Sequence, residues 1–187
     1  MRHALHPISP RQGARERARA PINGRAVGAC ACSERLTHRK SWLSTMPTLI
    51  KFAITHQEIV ACHPVLAELR PHLPLHDFAT TVERLSGSTG FKLAYLSDGD
   101  VKAVAGCRTA EWLHSGKYME IEDLVTASAA RSKGYGAQLF HWLVAEARRE
   151  ECRQLRLVSG VQRADAHRFY ERLGMVYEAK YFSLNLR

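Results

Sequence analysis

From Thr48 onward, two hydrophobic patterns alternate along the chain. In one, every second residue is apolar, which is typical of strands; in the other, apolar residues recur every three or four positions, which is typical of helices. The strand pattern covers residues 48–54, 91–97, 101–113, 117–128, 153–159 and 175–186, the last as a closing pair of strands. The helical pattern covers residues 56–70, 75–85, 134–151 and 163–173.

Local signals mark several boundaries of these elements. Thr55 followed by Glu58 predicts a capping box at the first helix, and Pro64 should bend or restart that helix. The segment SGSTG, residues 86–90, predicts a turn, and DGD, residues 98–100, joins two strands as a hairpin. Hairpins combined with strand-helix-strand units predict an α/β (α+β) domain with a mixed sheet.

Charge divides the chain into two parts. The 187 residues carry a net charge of +9, with 45% hydrophobic and 24% charged residues, which suits one soluble domain with a tail. Residues 1–45 hold nine Lys or Arg against two Asp or Glu, a net +7, whereas residues 46–187 hold 18 against 16, a net +2. We therefore predict a basic, disordered extension over residues 1–45 and a folded domain over residues 46–187, with Met46 as the functional start. A presequence or a nucleic-acid-binding arm are alternatives for the extension.

The cysteines and the apolar runs bear on compartment and metal binding. No apolar run approaches the roughly 20 residues of a membrane-spanning helix, so no membrane partner is predicted. The five cysteines are odd in number and scattered, which favours a reducing, cytoplasmic setting. Cys30 and Cys32 form a C-x-C without a second pair at zinc spacing, so we predict no metal site.

The segment RSKGYGAQL, residues 131–139, is a candidate anion site. Two glycines precede a helical pattern, where free N–H groups and the positive end of the helix dipole favour phosphate. On spacing alone, a turn whose glycines satisfy only backbone geometry is the favoured interpretation, and an anion site needs a second feature. A Walker loop is absent, and a dinucleotide fingerprint would need Gly or Ala where the chain has Leu139.

Three segments together resemble the GNAT N-acetyltransferase superfamily, in its small single-domain bacterial form. The loop fits R/Q-x-x-G-x-G/A; IEDLVT, residues 121–126, resembles the family's bulged central strand; and AHRFYERLGM, residues 166–175, fits A-x-x-[FY]-Y-x-x-x-G-[FM]. The resemblance runs from Thr48 to the C-terminus. It implies a mixed, mostly antiparallel central sheet of about six to seven strands flanked by about four helices.

The resemblance also implies acetyl-CoA as co-substrate and assigns the residues that hold it. A backbone N–H near Leu124 or Val125 would bind the acetyl carbonyl, with Thr126 beside it. Arg163, where many members have Asn, and His167 would lie near the cofactor. The pyrophosphate would be held by the loop of Arg131, Ser132, Lys133, Gly134, Tyr135, Gly136 and Ala137.

For catalysis, the resemblance matches Tyr170 to the general acid that protonates the departing thiolate. A core aromatic is the structural alternative, because Tyr170 lies on the apolar stripe of its helix. Glu122 is the first candidate for the base that accepts the amine proton, Asp123 the second, and a water relay the third. Two-residue periodicity sets Asp123 on the opposite strand face from Glu122 unless a bulge intervenes.

The leading hypothesis is an N-acetyltransferase that transfers acetyl from acetyl-CoA to a primary amine by direct attack in a ternary complex. The acceptor is a small molecule or a protein, and carboxylates near the site favour a cationic amine. Homodimers are common in the superfamily. Two alternatives are a nucleic-acid-binding protein that uses the basic extension and a CoA-binding regulatory domain without turnover.

Overall fold

A computed structural model describes residues 48–186 of the chain. The predicted basic extension, residues 1–45, lies outside the described residues. The chain order is β1 (Leu49–Phe52), α1 (His56–Ala67), α2 (Leu75–Thr89), β2 (Lys92–Asp98), β3 (Asp100–Trp112), β4 (Gly116–Thr126), a 3-10 turn (Ser128–Ala130), α3 (Tyr135–Arg149), β5 (Gln154–Leu157) and α4 (Ala164–Arg172).

The strands form one sheet in the order β1-β2-β3-β4-β5. The first three pairings are antiparallel and the pairing of β4 with β5 is parallel, which confirms the predicted mixed, mostly antiparallel α/β fold with four helices. The β2-β3 hairpin turns at Gly99, whose φ is +79°, in the predicted DGD segment.

The predicted strand count is wrong, since the described residues contain five strands rather than six to seven. The missing ones are the closing pair expected over residues 175–186, which have no strand partner in the structure. The alternating apolar pattern gives residues 175–186 a strand propensity. A strand also needs hydrogen bonds to a neighbouring strand, and this segment pairs with no described strand.

Helices cover both faces of the sheet. Helices α1 and α2 pack on one face over Leu93, Tyr95 and Val104, while α3 packs on the other face over Ala94, Leu96, Ala103 and Ala105. Successive residues of the central strands are therefore buried on opposite sides, and the strands are apolar almost throughout. We call these the α1–α2 face and the α3 face.

The helix boundaries confirm some local signals and correct others. The capping box of Thr55 and Glu58 is present at α1. Helix α1 continues through Pro64 to Ala67, so the predicted restart at this proline is wrong. Helix α2 extends to Thr89 and ends at Gly90, whose φ is +68°, so the predicted turn over residues 86–89 is helical. Residues 86–89 are exposed, and the helix runs through them because its left-handed end is supplied only by Gly90.

Candidate active site

Strand β4 is longer than its neighbour β5, and this difference opens the sheet. Strand β5 pairs only with residues Tyr118–Ile121 of β4. Beyond Ile121, β4 continues to Thr126 with β3 on one side and no described strand on the other. The backbone groups on this free edge, residues 122–126, are therefore available to a ligand.

The direction of the backbone groups identifies which amides reach the free edge. The N–H of Ala127 donates to Lys102 O at 2.9 Å, on the β3 side. The N–H groups of an antiparallel strand alternate between its two edges. The N–H of Val125 therefore also points toward β3, and the N–H groups of Leu124 and Thr126 point away from it. Of the two predicted amides, this geometry favours Leu124 over Val125 as the donor at the free edge.

The glycine loop leads directly into the N-terminus of α3. Gly134 has φ +85° and precedes the first helical residue, Tyr135. The first intrahelical bond is donated by Gln138 N to Gly134 O at 3.0 Å, and no side chain caps the helix. The N–H groups of Tyr135, Gly136 and Ala137 consequently lack helical partners, which is a geometry that suits an anion.

Gly136 joins three parts of the predicted site. It is buried, and a Cβ built on it would lie 2.8 Å from Thr126 Oγ1, at the end of β4, and 3.6 Å from Phe169 Cζ on α4. Any side chain here would separate the loop from β4. The structure thus brings the end of β4, the start of α3 and α4 together, as the sequence motifs predict.

The remaining loop side chains have different surroundings. The Tyr135 hydroxyl donates to Asp98 Oδ2 at 2.5 Å, and this hydrogen bond raises the pKa of Tyr135. Ser132 and Lys133 are exposed, and Ser132 has φ +62°. Tyr135 therefore anchors the loop, while Ser132 and Lys133 lie at its surface.

Glu68, which the sequence analysis did not single out, forms hydrogen bonds to the segment that leads into the glycine loop. Glu68, just after α1, accepts the N–H of Ser128 at 3.0 Å and a guanidinium N–H of Arg131 at 3.1 Å. Arg131 also donates to Thr126 O at 3.4 Å. Because Glu68 is about 60 positions before its partners, no local pattern could reveal this contact.

A β-bulge lies at Glu122. Ile121 pairs with Cys107 and Asp123 with Gly106, so Glu122 is the extra residue between them. Because of the bulge, Glu120, Glu122 and Asp123 all lie on the α1–α2 face. Asp123 is therefore on the same face as Glu122, and not on the opposite face as two-residue periodicity without a bulge would place it. Gly106 opposite the bulge is required by packing, since a Cβ there would lie 2.6 Å from Phe91 Cζ.

Each carboxylate on this part of the sheet is paired with an arginine. Asp123 Oδ1 accepts from Arg70 Nε at 2.8 Å and Nη2 at 2.7 Å. Both oxygens of Glu122 accept from Arg108, one of them at 3.0 Å. Glu120 accepts from Arg156 Nη2 at 3.1 Å. We call this set the charged face: Arg70, Arg108, Glu120, Glu122, Asp123 and Arg156.

The arginine–carboxylate pairs change the expectation that the acceptor is a cationic amine. The charged face holds three cations and three anions, so the carboxylates alone no longer favour a cationic acceptor. Arg156 also stacks on two aromatic rings, with its guanidinium carbon 3.5 Å from the Trp112 centroid and 3.3 Å from the Tyr118 centroid. The arginines were missed because their partners are distant in sequence: the strand register places Arg108 and Arg156, and Arg70 reaches Asp123 from just beyond α1.

Helix α4 carries the remaining predicted residues. Tyr170 is half-buried, and its hydroxyl has no hydrogen-bond partner between residues 48 and 186. Burial raises the pKa of Tyr170 above its ordinary value of 10.0, although Arg163 opposes the shift. Arg163 is exposed at the start of α4, and His167 is partly buried one turn further on. A tyrosine in this environment keeps its proton at neutral pH.

The residues at the free edge suit a CoA thioester and its phosphates. The unpaired amides of α3, the open edge of β4 and the close approach at Gly136 supply hydrogen-bond donors without side-chain obstruction. Ser159, just after β5, has a buried hydroxyl that lacks a partner among the described residues. In residues 48–186, no group of three or more His, Cys, Asp or Glu side chains is arranged to hold a metal.

Between residues 48 and 186, every helix is too short or too polar to cross a bilayer.

Comparisons of this chain with known proteins point to one protein family. Residues 52–175 match the model of the acetyltransferase (GNAT) family. An uncharacterised N-acetyltransferase of Bacillus subtilis is 31% identical over 135 residues, which is 71% of this chain and 95% of the relative. An aminoalkylphosphonate N-acetyltransferase of Salmonella typhimurium is 32% identical over 99 residues, covering 52% of this chain and 62% of the relative.

A solved structure shares the fold. An aminoglycoside N-acetyltransferase in complex with CoA superposes with a TM-score of 0.65 at 11% identity, covering 76% of this chain and 97% of the neighbour. The family model spans all three motifs and most of the elements described above. The chain belongs to the GNAT acetyltransferase family.

Proposed function

We propose that this protein transfers an acetyl group from acetyl-CoA to a primary amine by direct attack in a ternary complex. The observation that carries this function is the free edge of β4, which adjoins the unpaired amides at the start of α3. Family membership supports an acetyl-CoA-dependent N-acetyltransferase as the activity. The residue roles and the acceptor class that follow are part of the proposal.

Main-chain groups do most of the cofactor binding in this proposal. Acetyl-CoA supplies an acetyl group activated as a thioester. The amides of Gly134–Ala137 and the cations Arg131 and Lys133 hold the phosphates, and the Leu124 N–H donates to the acetyl carbonyl. Val125 and Thr126 shape the same edge, and Arg163 and His167 border the cofactor from α4.

Tyr170 is the proposed general acid. Its raised pKa means that the hydroxyl holds a proton across the neutral range, as a donor to a departing thiolate must. The hydroxyl is not committed to another described residue, and α4 reaches the loop through Phe169 beside Gly136. These observations support the role over that of a purely structural aromatic.

Asp123 is favoured over Glu122 as the proton acceptor. Both oxygens of Glu122 accept hydrogen bonds from Arg108, whereas Arg70 contacts only Oδ1 of Asp123. Oδ2 of Asp123 therefore remains available to an amine or to a relaying water. Asp123 also lies next to Leu124, so an acceptor at this carboxylate would be close to the proposed acetyl position.

The acceptor is proposed to be a small amine that also carries an anionic group. The charged face offers guanidinium groups for an anion and a carboxylate for an ammonium, with no net charge to attract a polycation. The relative from Salmonella typhimurium acts, by its name, on aminoalkylphosphonates, which have both groups. A protein lysine, a polyamine and an aminoglycoside are the competing classes.

An amine panel tests the activity and the acceptor class together. Release of CoA thiol should be fastest with an aminoalkylphosphonate or an amino acid, slower with a polyamine or an aminoglycoside, and absent without an amine. Gly134→Asp should weaken acetyl-CoA binding at least about tenfold, because it adds a carboxylate beside the phosphates and strains a left-handed residue. Tight CoA binding without turnover on any amine would instead indicate a regulatory domain.

The domain boundary and the cellular setting are proposed on separate grounds. We assign the transferase to residues 46–187, because every site residue discussed lies between Glu68 and Tyr170. The described cysteines are Cys62, Cys107 and Cys152, all free thiols, which supports a reducing, cytoplasmic environment.

A further inference from the structure

We propose that Arg70 determines the acceptor specificity of this protein by binding an anionic group carried on the same short molecule as the reacting amine. The ligand class is a primary amine with a carboxylate or phosphonate about one to three carbon atoms from the nitrogen. The inference rests on the proposed function, since it assigns one guanidinium of the charged face to the acceptor's anion. It starts from the ion pair of Arg70 and Asp123.

Arg70 uses only one edge of its guanidinium for Asp123. Its Nε and Nη2 atoms donate to the same oxygen, Oδ1, at 2.8 and 2.7 Å. Among the described residues, no second acceptor contacts this guanidinium. The remaining N–H groups, on Nη1 and on the outer side of Nη2, form what we call the free fork. A planar fork of this kind binds a carboxylate or a phosphonate through two parallel hydrogen bonds.

The position of Arg70 is fixed by the end of α1. Its N–H donates to Leu66 O at 2.9 Å, and the neighbouring Leu69 packs against the core between the two N-terminal helices and the sheet. The side chain of Arg70 is 41% exposed and that of Asp123 is 14% exposed, so the guanidinium is the accessible partner of the pair. A guanidinium that is already held in place loses less side-chain entropy on binding an anion than a free surface arginine does.

The ion pair limits the length of an acceptor that uses both partners. An amine at Oδ2 of Asp123 and an anion at the free fork of Arg70 would each lie about 3 Å from groups that are themselves in contact. The nitrogen and the acid group are then separated by only a few carbon atoms. A protein lysine side chain has no anion so close to its amine, and a polyamine has none at all.

The other two arginines of the charged face are placed differently. Arg108 lies two residues along β3 from Gly106, the residue opposite Asp123, which is about 7 Å of strand. Arg156 is on β5, and its guanidinium stacks on aromatic rings at the end of the charged face farther from Asp123. An anion on Arg156 would therefore require a longer acceptor. Substitution separates Arg108 from Arg70.

A matched pair of acceptors tests the assignment in the full-length protein. Aminomethylphosphonate carries an anion next to its amine, and its neutral diethyl ester keeps the same amine without the charge. We expect Arg70→Gln to lower kcat/KM for the phosphonate at least about 30-fold and for the diester less than about threefold, because the diester cannot use the free fork. Glycine and its methyl ester make the same comparison for a carboxylate.

Arg149→Gln is the matched control. Arg149 is an exposed arginine that pairs with Glu146 on α3, on the other side of the sheet, and its loss should leave the preference for the charged acceptor as in wild type. Equal losses for both acceptors in Arg70→Gln would reduce Arg70 to a support for Asp123 and overturn the proposal. A selective loss in Arg108→Gln instead would also overturn it.

Wild-type activity separates the two levels of the argument. A wild type that acetylates the phosphonate and the diester equally well would overturn this assignment and leave the proposed function standing. A wild type that acetylates no amine would overturn the proposed function, and the assignment with it.

An anion without an amine, and acceptors of graded length, give independent checks. Methylphosphonate should compete with the acceptor in wild type and at least about tenfold more weakly in Arg70→Gln. Among ω-aminoalkylphosphonates, kcat/KM should fall at least about tenfold between spacers of about two and about six carbon atoms. Competition unchanged by Arg70→Gln, or a preference for the longer acceptors, would overturn the assignment.

Discussion

Tyr170 combines an apolar environment with a hydroxyl that is not used structurally. Replacing it with Phe keeps the ring that contacts Phe169 and removes only the oxygen. We expect kcat to fall about 100-fold while acetyl-CoA affinity stays within about twofold, since the acid acts in the chemical step. Steady-state kinetics with calorimetric titration of CoA measures both.

The same variant has a pH signature. The pKa of Tyr170 is raised above 10.0, so the wild-type hydroxyl stays protonated, and active as an acid, until the pH rises past that value. The alkaline loss of kcat should therefore lie above pH 10.0 in wild type and disappear in Tyr170→Phe. An unchanged profile or an unchanged kcat would leave Tyr170 with a packing role only.

Asp123 and Glu122 are neighbours with different partners, so a pair of isosteric changes separates them. We expect Asp123→Asn to lower kcat about 100-fold, because it removes the available oxygen, and Glu122→Gln to lower it less than about tenfold. Rates for both variants at saturating acetyl-CoA make the comparison. The reverse ranking would assign the base to Glu122, and two small effects would assign it to water.

Gly106 makes room for the bulge and for Phe91. Gly106→Ala should reduce the free energy of unfolding by about 1–3 kcal/mol, since a methyl group would contact the buried Phe91 ring. Gly87→Ala is the matched control, because nothing lies within 4 Å of a Cβ there and α2 is helical. It should stabilise the protein by about 0.5–1 kcal/mol. Urea denaturation gives both values, and equal signs would contradict the packing argument.

At the scale of elements, the N-terminus of α1 links stability to pH. Glu58 accepts from Lys51 and from the N–H groups of Thr55 at 3.0 Å and Ile54 at 2.9 Å. These contacts, with Lys51 the largest, lower the pKa of Glu58 from 4.5 to about 2. The native state thus gains stability above pH 4.5 and loses it as the pH falls toward 2.

Glu58→Gln should therefore weaken the dependence of stability on pH across this acid range. Denaturation midpoints at neutral pH and at pH 3 to 4 measure the effect, with Glu171→Gln as control, since Glu171 is exposed and accepts no side-chain bond from a described residue. Parallel pH dependence in Glu58→Gln and wild type would show that the capping carboxylate does not titrate as the contacts imply.

Elements that depend on local signals were predictable, and those that depend on distant partners were not. The capping box at α1 and the β2-β3 hairpin, which turns at Gly99 with φ +79°, follow from residues within a few positions. The closing strands were overpredicted because residues 175–186 have strand periodicity but pair with no described strand. Pro64 was expected to bend or restart α1, yet the helix does not restart there and continues to Ala67, with Val65 and Leu66 buried directly after the proline.

The same distinction applies to the site. The loop of residues 131–137, its glycines and Tyr170 could be located from motifs, because each motif is contiguous. Glu68, Arg70 and Arg108 could not, since their partners lie 14 to 63 residues away and meet them only through the strand register and the α1 end. The electrostatics of the acceptor side therefore required the fold.

For the whole molecule, the charge division predicts a separable extension. Removing residues 1–45 lowers the net charge from +9 to +2 and leaves every proposed site residue in place. We expect kcat/KM to change less than about twofold, because the extension contributes nothing to the proposed chemistry. Kinetics, circular dichroism and nucleic-acid titration of both forms make the test.

Retained activity with unchanged nucleic-acid affinity would exclude the basic extension as a nucleic-acid-binding arm. Lost nucleic-acid binding with retained activity would give the extension a function of its own. A truncated chain that folds but no longer turns over would contradict the proposed boundary at Met46.

The free edge of β4 has a consequence for evolution. Hydrogen bonds from main-chain amides do not depend on side-chain identity, so the proposed recognition of acetyl-CoA at this edge would persist while the surrounding side chains change. Laboratory selection for new acceptors could accordingly randomise the arginines and aromatics around Arg156 in a single library. Such libraries should retain acetyl-donor use in most clones, which makes this scaffold a candidate for engineering amine-modifying catalysts.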